Sequence, residues 1–353
     1  MKQLISLTKR QQHILQILAG FEHVSNREIL ARVQTQFDKA SRITLIRDLN
    51  YLVAKKLAKR QGKGRNVFYE LSAPHLLRPI DTEDYFQKNP DQRVIQQKRI
   101  DFMRIPNWDD IFSGEELKRI DSLTQKFKQH FSKYSPESIK KELERITIEF
   151  SWKSSQIEGN TYSLLDTERL IKEHKEAKGK THEEAVMILN HKSALEYIWK
   201  HPVYFKKISL RKIEDIHALI VKGLNIQKGM RKRPVGIIGT KYMPHDNIYQ
   251  IKEAIENLCK LINTLKNPFI KAIAAISGIS YIQPFEDGNK RTSRLLGNAL
   301  FLAYSFCPLS FRSADEIEYK KSMILFYEQH NLFLFKKIFM EQYEFAIRNY
   351  FLV

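Results

Sequence analysis

Helical periodicity dominates the chain from Trp108 to its end, and this pattern restricts the fold class more than any other feature. Apolar residues recur at spacings of three and four, which places them on one face of each helix. The helical segments are 115–132, 138–158, 164–177, 181–201, 209–224, 248–265, 268–282, 289–304, 315–329 and 332–351. One strand-like stretch, 233–242, interrupts them. The sequence therefore predicts a mainly α domain over residues 108–353 with a small β-hairpin inside it.

The first 73 residues predict a separate, small α+β unit. Helices begin near Thr8, Ser25 and Ser41, and the first two carry capping boxes with a Gln or Glu three residues later. The third predicted helix runs to about residue 55. Two alternating segments, 57–60 and 66–69, then flank a turn that contains Gly62 and Gly64. Glycine permits the positive φ that a tight hairpin turn needs.

Positive charge is concentrated in this unit. The whole chain has 59 Lys and Arg against 40 Asp and Glu, a formal charge of +19. Residues 1–73 hold 14 basic and 5 acidic side chains, a net +9. A surplus of positive charge as large as that of the whole chain favours a polyanionic partner. The side chains that we expect to contact nucleic acid are Arg42, Thr44, Arg47 and Asn50 on the third helix, and Lys63 and Arg65 in the turn.

The order of three helices and a basic hairpin resembles a winged helix-turn-helix domain, over about residues 5–73. The resemblance implies DNA binding, with the third helix in a major groove and the wing against phosphate or the minor groove. A winged domain that mediates protein contacts or dimerisation, with a solvated basic face, is the alternative.

Residues 74–107 predict a linker, because four prolines break any helical period there. Only two cysteines, Cys259 and Cys307, are present, which excludes a disulfide scaffold and a structural zinc site. The N-terminus lacks the apolar run of a signal peptide, and no segment reads as a membrane helix. We expect a cytoplasmic protein without a membrane partner.

Residues 281–296, YIQPFEDGNKRTSRLL, predict an anion site. A helix is broken at Pro284, turns at Gly288 and restarts at Asn289, so that backbone N–H groups and the positive end of the helix dipole point at the loop. Arg291 and Arg294 add two guanidinium groups one turn apart. A junction of this kind with a purely structural role is the alternative.

This segment resembles the signature of the Fic family, His-Pro-Phe-x-(Asp/Glu)-Gly-Asn-Gly-Arg-x-x-Arg, whose members mostly transfer AMP from ATP to protein hydroxyls. The matching residues are Pro284, Phe285, Asp287, Gly288, Asn289, Arg291 and Arg294. Residues 154–160 (SSQIEGN) resemble the family's inhibitory helix pattern, (Ser/Thr)-x-x-x-Glu-(Gly/Asn). Residues 233–244 (RPVGIIGTKYMP) resemble the flap that docks the target segment.

The resemblance implies ATP and Mg²⁺ as cofactors and a protein Ser, Thr or Tyr hydroxyl, on another protein or on the chain itself, as the target. Asp287 would bind Mg²⁺, and Arg294 would bind the γ-phosphate. The residues that would hold the other phosphates are Gly288, Asn289 and Arg291, with Lys290 beside them. Asn289 and Arg291 would also belong to the catalytic centre, with Gln283 at the position of the family's His. An inhibitory helix over about 138–160 would contribute Ser154, Glu158 and Gly159. The flap, 231–244, would dock the target through Ile237, Ile238, Gly239, Thr240 and Tyr242.

In that inhibitory helix, Glu158 would pair with Arg294 in the resting state and push the γ-phosphate out of line. A carboxylate at a helix C-terminus gains from a cationic partner, because the helix dipole disfavours an anion there. Fic proteins often self-associate, but no residue of this sequence decides whether the chain forms a homodimer.

The first departure from the pattern is Gln283, which stands where the family has its general-base His. A carboxamide has no useful pKa and cannot accept the target's proton near neutral pH. His217 and His245 are the nearest alternatives, and His217 reads as a packing residue on an apolar helix face. The sequence therefore predicts a nucleotide-binding protein with weak or absent transferase activity.

The second departure is Lys290, where the common motif has Gly. A Lys there resembles the Doc branch, which binds the nucleotide reversed and transfers the γ-phosphate; a surface cation is the simpler reading. Four functions remain open: impaired AMP transfer, a nucleotide-sensing transcriptional regulator without catalysis, Doc-like phosphate transfer, and AMP removal.

Overall fold

The computed structural model describes residues 7–19, 21, 23–55, 57–71, 76–96, 99–102 and 108–351. Within these ranges the chain forms an N-terminal unit of helices and one small sheet, followed by a larger assembly of helices. The helices of the N-terminal unit are α1 (Lys9–Ala19), α2 (Asn26–Gln34) and α3 (Arg42–Ala54). Its strands are β1 (Val24–Ser25), β2 (Ala58–Gln61) and β3 (Phe68–Leu71).

Local capping fixes where these first helices begin. The Thr8 hydroxyl accepts from the N–H of Gln11 at 3.2 Å, and the Gln11 side chain accepts in return from the N–H of Thr8 at 3.1 Å. Ser25 and Glu28 form the same reciprocal pair at the start of α2, and Ser41 caps α3. Each cap satisfies N–H groups that have no partner within the helix. The predicted helix starts are therefore confirmed.

The sheet has the antiparallel order β1-β3-β2. The β2–β3 hairpin pairs Ala58 with Leu71 and Gln61 with Phe68, close to the predicted strands. Strand β1 was not predicted, because two residues are too short for an alternating pattern to show. An apolar core of its own, built from all three helices and the sheet, holds this unit together.

The larger assembly is helical, as predicted. Its helices are α5 (Gly114–Phe131), α6 (Pro136–Ile157), α7 (Leu164–Glu173), α8 (His182–Lys200), α9 (Leu210–Ile220), α10 (Ile248–Thr264), α11 (Pro268–Ile282), α12 (Asn289–Ala303), α13 (Glu316–Gln329) and α14 (Phe333–Asn349). Helices α11 and α12 are buried at its centre. Gly297 lets them approach, since a Cβ there would lie 2.6 Å from Cδ1 of Ile276. None of the helices that the structure describes is long and apolar enough to cross a bilayer.

Residues 76–96 and 99–102, which we call the connecting segment, pack against the larger assembly. They include α4 (Thr82–Gln87), and Tyr85 on α4 donates a hydrogen bond of 2.6 Å to the buried carboxylate of Glu328. The N–H of Ile100 donates to the hydroxyl of Tyr281 at 3.1 Å. In its described part the predicted linker, 74–107, is thus held against the larger assembly, because its polar groups find partners more than 150 positions away in sequence.

The expected β-hairpin at 233–242 is also corrected, because no strand is formed there. Residues 231–244, which we call the flap, run as turns and extended chain, with Gly239 at a φ of 84°. Hydrogen bonds with the connecting segment hold the flap in place of a second strand. Arg93 of the connecting segment donates to the carbonyl of Gly239, and Lys241 donates to the carbonyl of Asp91 at 2.7 Å.

The turn of the β2–β3 hairpin yields the first prediction. Gly62 and Gly64 both have positive φ, 80° and 60°, but a Cβ on Gly62 would lie 2.0 Å from the carbonyl oxygen of Asn66, whereas Gly64 has open space. Gly64→Ala should lower the free energy of unfolding by about 1–2 kcal/mol, which is the cost of holding an alanine in the left-handed conformation. Gly62→Ala should lower the free energy of unfolding by more, because the new Cβ forces the backbone at Asn66 to move. Amide hydrogen exchange of β2 and β3 should therefore be faster in Gly62→Ala, and equal exchange in the two variants would contradict this account.

Candidate functional site

The centre of the candidate site is the loop between α11 and α12. Gly288 begins α12 at a φ of 77° and offers no side chain to cap its first turn. A Cβ on Gly288 would lie 3.2 Å from Cγ2 of Ile220, so this position is both left-handed and tightly packed. The N–H groups of the first turn are therefore left for an external acceptor, which is the arrangement that binds anions at helix N-termini.

Asn289 braces this loop. Its side-chain amide donates to the carbonyl of Phe285 at 2.9 Å, and its side-chain oxygen accepts from the N–H of Phe285 at 2.8 Å. These two bonds occupy both the oxygen and the nitrogen of the side-chain amide and close a ring with the backbone of Phe285. The structure therefore places Asn289 as a loop brace, whereas the sequence led us to expect it at the phosphates and the catalytic centre.

Arg291 lies under the loop and is 2% exposed. Its Nη2 is 3.0 Å from Oδ2 of Asp287, while Oδ1 of Asp287 accepts from the N–H of Gly288 at 2.6 Å. Burial lowers the pKa of Arg291, and the Asp287 carboxylate opposes that shift. Nη1 of Arg291 has no hydrogen-bond partner among the described residues. The side chain is thus held at one edge and free at the other.

Arg294, one turn further along α12, is fully buried and joins α12 to the end of α6. Its Nε donates to the Ser154 hydroxyl at 2.9 Å, and its Nη2 donates to the Ser154 carbonyl at 2.8 Å. Nη2 also lies 2.9 Å from Oε1 of Glu158. The Ser154 carbonyl belongs to the last turn of α6, where carbonyls lack helical partners. Arg294 therefore both caps the C-terminus of α6 and neutralises the carboxylate of Glu158.

Glu158 ends α6 at a φ of −92°, directly before Gly159 at 98°. A second cation faces it, since Nζ of Lys290 is 3.8 Å from Oε2 of Glu158. Burial would raise the pKa of Glu158, but the charges of Arg294 and Lys290 outweigh burial and hold the pKa below its ordinary value. Glu158 is therefore ionised at neutral pH.

The site has a net positive charge and buried donors without partners. Three cations, Lys290, Arg291 and Arg294, face two carboxylates, Asp287 and Glu158. Nη1 of Arg294, like Nη1 of Arg291, is buried and has no hydrogen-bond partner among the described residues. Buried N–H groups without a partner are costly. These two groups, with the open N-terminus of α12, fit the phosphates of a nucleotide.

For a cation, Asp287 offers one carboxylate that is 63% exposed. Within the described part of the chain, no group of three His, Cys, Asp or Glu side chains could hold a metal ion. This donor set fits Mg²⁺ that is bound mainly by phosphates and water, with a single protein carboxylate.

Gln283 ends α11 in the left-handed conformation, at a φ of 50°. Its amide Nε2 donates back to the Ser280 carbonyl at 2.6 Å. Its backbone carbonyl accepts from Nε of Arg231 at 2.6 Å. The side chain thus caps its own helix and provides no proton acceptor comparable to an imidazole.

Neither of the two histidines near the motif, His217 and His245, is placed to act as the general base that Gln283 does not provide. His217 is buried and stacks on Phe285 with ring centroids 3.7 Å apart, and its Nε2 donates to the Asp287 carbonyl at 3.0 Å. Burial lowers the pKa of His217 to about 4, although the Asp287 carbonyl partly opposes this shift. His217 is thus a packing residue beneath the loop. Nδ1 of His245 forms a hydrogen bond of 3.1 Å with the side-chain oxygen of Gln250.

The flap is tied to the loop by Arg231, which the sequence analysis missed. Arg231 is 2% exposed, its N–H donates to the Pro284 carbonyl at 2.9 Å, and its guanidinium donates to the carbonyls of Gln283, Arg233 and His245. No sequence signal separates it from the neighbouring Lys232 and Arg233.

The predicted docking residues of the flap differ in exposure. Ile238 is 99% exposed, whereas Ile237 packs partly against the core. Gly239 is exposed, and the half-buried Thr240 accepts from the N–H of Tyr242 at 3.0 Å. Tyr242 is buried and donates to the Tyr281 carbonyl at 3.0 Å. Tyr242 therefore anchors the flap, which corrects its expected docking role.

In the N-terminal unit, Arg42, Arg47, Asn50 and Lys63 are exposed. Thr44 is half-buried, and its hydroxyl lies 3.0 Å from that of the capping Ser41. Thr44 thus belongs to the helix cap, which corrects its expected place on the open face. The side chain of Arg65 lies outside the described residues.

Comparison with known proteins agrees with this geometry. Residues 207–301, which include the loop and most of α12, match the model of the Fic/DOC family. A protein adenylyltransferase Fic of Nematostella vectensis is 26% identical over 193 residues, which are 51% of this chain and 43% of that protein. One from Aedes aegypti is 28% identical over 212 residues, which are 58% of this chain and 42% of that protein. The chain thus spans less than half the length of these relatives.

Solved structures share the fold. Fic-1 of C. elegans superimposes with a TM-score of 0.59 at 19% identity, over 69% of this chain and 73% of that one. A Fic domain containing signaling protein of Bacteroides thetaiotaomicron gives a TM-score of 0.54 at 20% identity, over 65% of this chain and 95% of that one. The signature loop thus lies inside the region, residues 207–301, that matches the Fic/DOC family, and the solved structures share the fold.

Proposed function

We propose that this chain is a Fic-type protein adenylyltransferase that is autoinhibited by Glu158, impaired in transfer by Gln283, and fused to a DNA-binding domain. The observation that carries the proposal is the pair between Glu158 and the fully buried Arg294, at 2.9 Å. A buried guanidinium needs an anionic partner, because leaving it unpaired costs about 3–5 kcal/mol. Glu158 meets that need in the resting chain, and the γ-phosphate of ATP would meet it instead.

The phosphate roles follow from the donors that remain open. The α12 N-terminus and Arg291 would hold the α- and β-phosphates, Asp287 would hold Mg²⁺, and Arg294 would hold the γ-phosphate. Bound ATP would supply the α-phosphate that a target Ser, Thr or Tyr hydroxyl attacks, and the bond from the α-phosphorus to the bridging oxygen would break with pyrophosphate as the leaving group. That attack needs a group to take the hydroxyl proton, and loss of a general base costs about 10²–10⁴ in rate. Gln283, whose amide donates to Ser280, lacks that capacity.

A second function, a nucleotide-sensing regulator without catalysis, is favoured by the connecting segment. Arg78, which is 2% exposed, donates to the carbonyl of Leu15 on α1 at 3.1 Å and also to Gln329 at the end of α13. Arg93 donates to the flap at Gly239. One segment thus contacts both the N-terminal unit and the flap, so nucleotide binding at the loop and DNA binding by α3 would influence each other.

DNA binding by a winged helix-turn-helix domain is supported by the N-terminal unit. Three helices and an antiparallel sheet of order β1-β3-β2 surround a core of their own. Arg42, Arg47 and Asn50 are exposed on α3, and Lys63 is exposed at the hairpin turn. Helix α3 would enter a major groove, with the hairpin against the phosphate backbone.

Transfer of label from α-³²P-ATP and from γ-³²P-ATP to proteins of a lysate, with Mg²⁺, tests the reaction. Glu158→Gly should label weakly, and Glu158→Gly combined with Gln283→His should label from the α position at least about 10²-fold faster, because a general base is restored. Strong α-label with Gln283 in place would refute the requirement for a base. Label from the γ position alone would show Doc-like phosphate transfer.

The contact of Lys290 with Glu158 gives a separate prediction. In the Gln283→His background, Lys290→Met removes one of the two cations that hold Glu158, so α-label should increase by about twofold to fivefold, the size of a half-exposed ion pair. In a chain that also carries Glu158→Gly, the same substitution should give no increase. An increase of equal size in both backgrounds would mean that Lys290 acts on the nucleotide and not through Glu158.

DNA binding is tested by salt-dependent electrophoretic shift. Lys63→Ala should weaken binding of random and genomic DNA alike and reduce the slope of log K against log salt by about 1, because one phosphate contact is lost. Lys178→Ala, the same charge change at an exposed site of the Fic domain, is the control and should leave the slope unchanged. Equal effects of the two variants would show that only the net charge matters.

A further inference from the structure

His191 is a fully buried titratable side chain that none of the roles above uses. It lies on α8 and faces the last turns of α6. Its Nε2 is 3.0 Å from the Ser154 hydroxyl, and its Nδ1 is 2.8 Å from the Met187 carbonyl and 3.3 Å from the Ser155 hydroxyl. Its ring also contacts that of Phe150 edge-on, with centroids 5.9 Å apart. The imidazole thus touches both Ser154 and Ser155, which precede Glu158.

The partners of His191 determine where its proton lies. A carbonyl oxygen only accepts, so Nδ1 must carry the hydrogen that Met187 receives. Burial, and after it the charge of Arg291, lowers the pKa of His191 to about 3, so the ring is neutral at physiological pH. In a neutral ring with hydrogen on Nδ1, Nε2 is an acceptor. The Ser154 hydroxyl must therefore donate its proton to Nε2.

This assignment fixes the role of the Ser154 hydroxyl toward Arg294. Once its proton points at His191, the oxygen presents lone pairs to the other side, where Nε of Arg294 lies at 2.9 Å. A hydroxyl that was free to rotate would spend part of its time with the proton toward the guanidinium. His191 thereby sets the orientation of a contact that aligns Arg294 with Glu158.

We propose that His191 is a positioning residue of the autoinhibited state: by accepting from the Ser154 hydroxyl, it holds Arg294 on α6 beside Glu158 and away from an incoming nucleotide. The proposal rests on the proposed function, in which Glu158 and the γ-phosphate compete for Arg294. It predicts that loss of the acceptor at Nε2 loosens Arg294, whereas loss of the ring alone does not.

Two substitutions of His191 separate the acceptor from the ring. A glutamine at this position would place a side-chain oxygen near the position of Nε2, whereas the shorter asparagine reaches only the position of Nδ1. With Mg²⁺ and ATP in a calorimeter, His191→Asn should bind ATP about threefold more tightly than the parent chain, the size of one hydrogen bond. His191→Gln should bind like the parent. In the Ser154→Ala background, His191→Asn should produce no further change, because the two groups act as one unit.

A second readout does not depend on the competition. The ¹⁵N–¹H signal of the Arg294 Nε group, assigned by its loss in Arg294→Lys, should lose its protection from exchange in His191→Asn and in Ser154→Ala, and keep it in His191→Gln. Ile188→Ala is the control for general damage, since Ile188 is fully buried on the same helix in a separate apolar cluster. It should lower the unfolding temperature and leave both the signal and the ATP affinity unchanged.

The outcomes distinguish this inference from the proposed function. A protected Nε signal in His191→Asn, or equal behaviour of the Asn and Gln variants, would overturn the positioning role. An effect of His191→Asn that persists in the Ser154→Ala background would overturn it as well. If the signal changes as expected but ATP affinity does not, His191 does position Arg294, and the competition with the γ-phosphate is what fails.

Discussion

The burial of Arg294 is the constraint on which the rest of the site depends. A guanidinium with no solvent exposure must be matched by acceptors, and the end of α6 supplies them through the Ser154 hydroxyl, the Ser154 carbonyl and the Glu158 carboxylate. In the proposed function the same need would create a competition, because a phosphate offers the guanidinium an equally good partner. A stable contact within the chain and an occupied nucleotide site would then be alternatives, which would give the resting state a physical basis.

The neighbouring features are consistent with that competition. Lys290 adds a second cation to Glu158 and leaves the carboxylate ionised. Arg291 remains buried with one free donor among the described residues, and the first turn of α12 has no side-chain cap. The site is therefore prepared for an anion, while Gln283 leaves the chemistry after binding without a proton acceptor. Under the proposed function these residues would favour nucleotide binding over catalysis.

Local signals in the sequence were enough to predict the helices and the loop. Contacts between residues far apart in sequence could not be predicted from such signals. The capping pair of Ser25 and Glu28 lies within one turn, and α11 begins and ends as predicted. Arg231 and His191 were missed because their partners are 52 and 37 residues away in sequence. The flap alternates like a strand, but the side chains of Arg231 and Arg93 donate to its carbonyls at Arg233 and Gly239, and no strand forms. The contacts of the connecting segment could not be predicted for the same reason, since Arg78 reaches Gln329.

The most direct test of the competition for Arg294 compares ATP with ADP, because the two differ only in the γ-phosphate. Calorimetric titration with Mg²⁺ would use the parent chain and Glu158→Gln, a neutral substitution of nearly the same shape. The account predicts that Glu158→Gln raises the affinity for ATP by about tenfold, because the carboxylate of the ion pair with Arg294 is lost, and raises the affinity for ADP by less than about twofold. Equal gains for both nucleotides, or no gain for ATP, would contradict the claim that Glu158 occupies the γ-phosphate position.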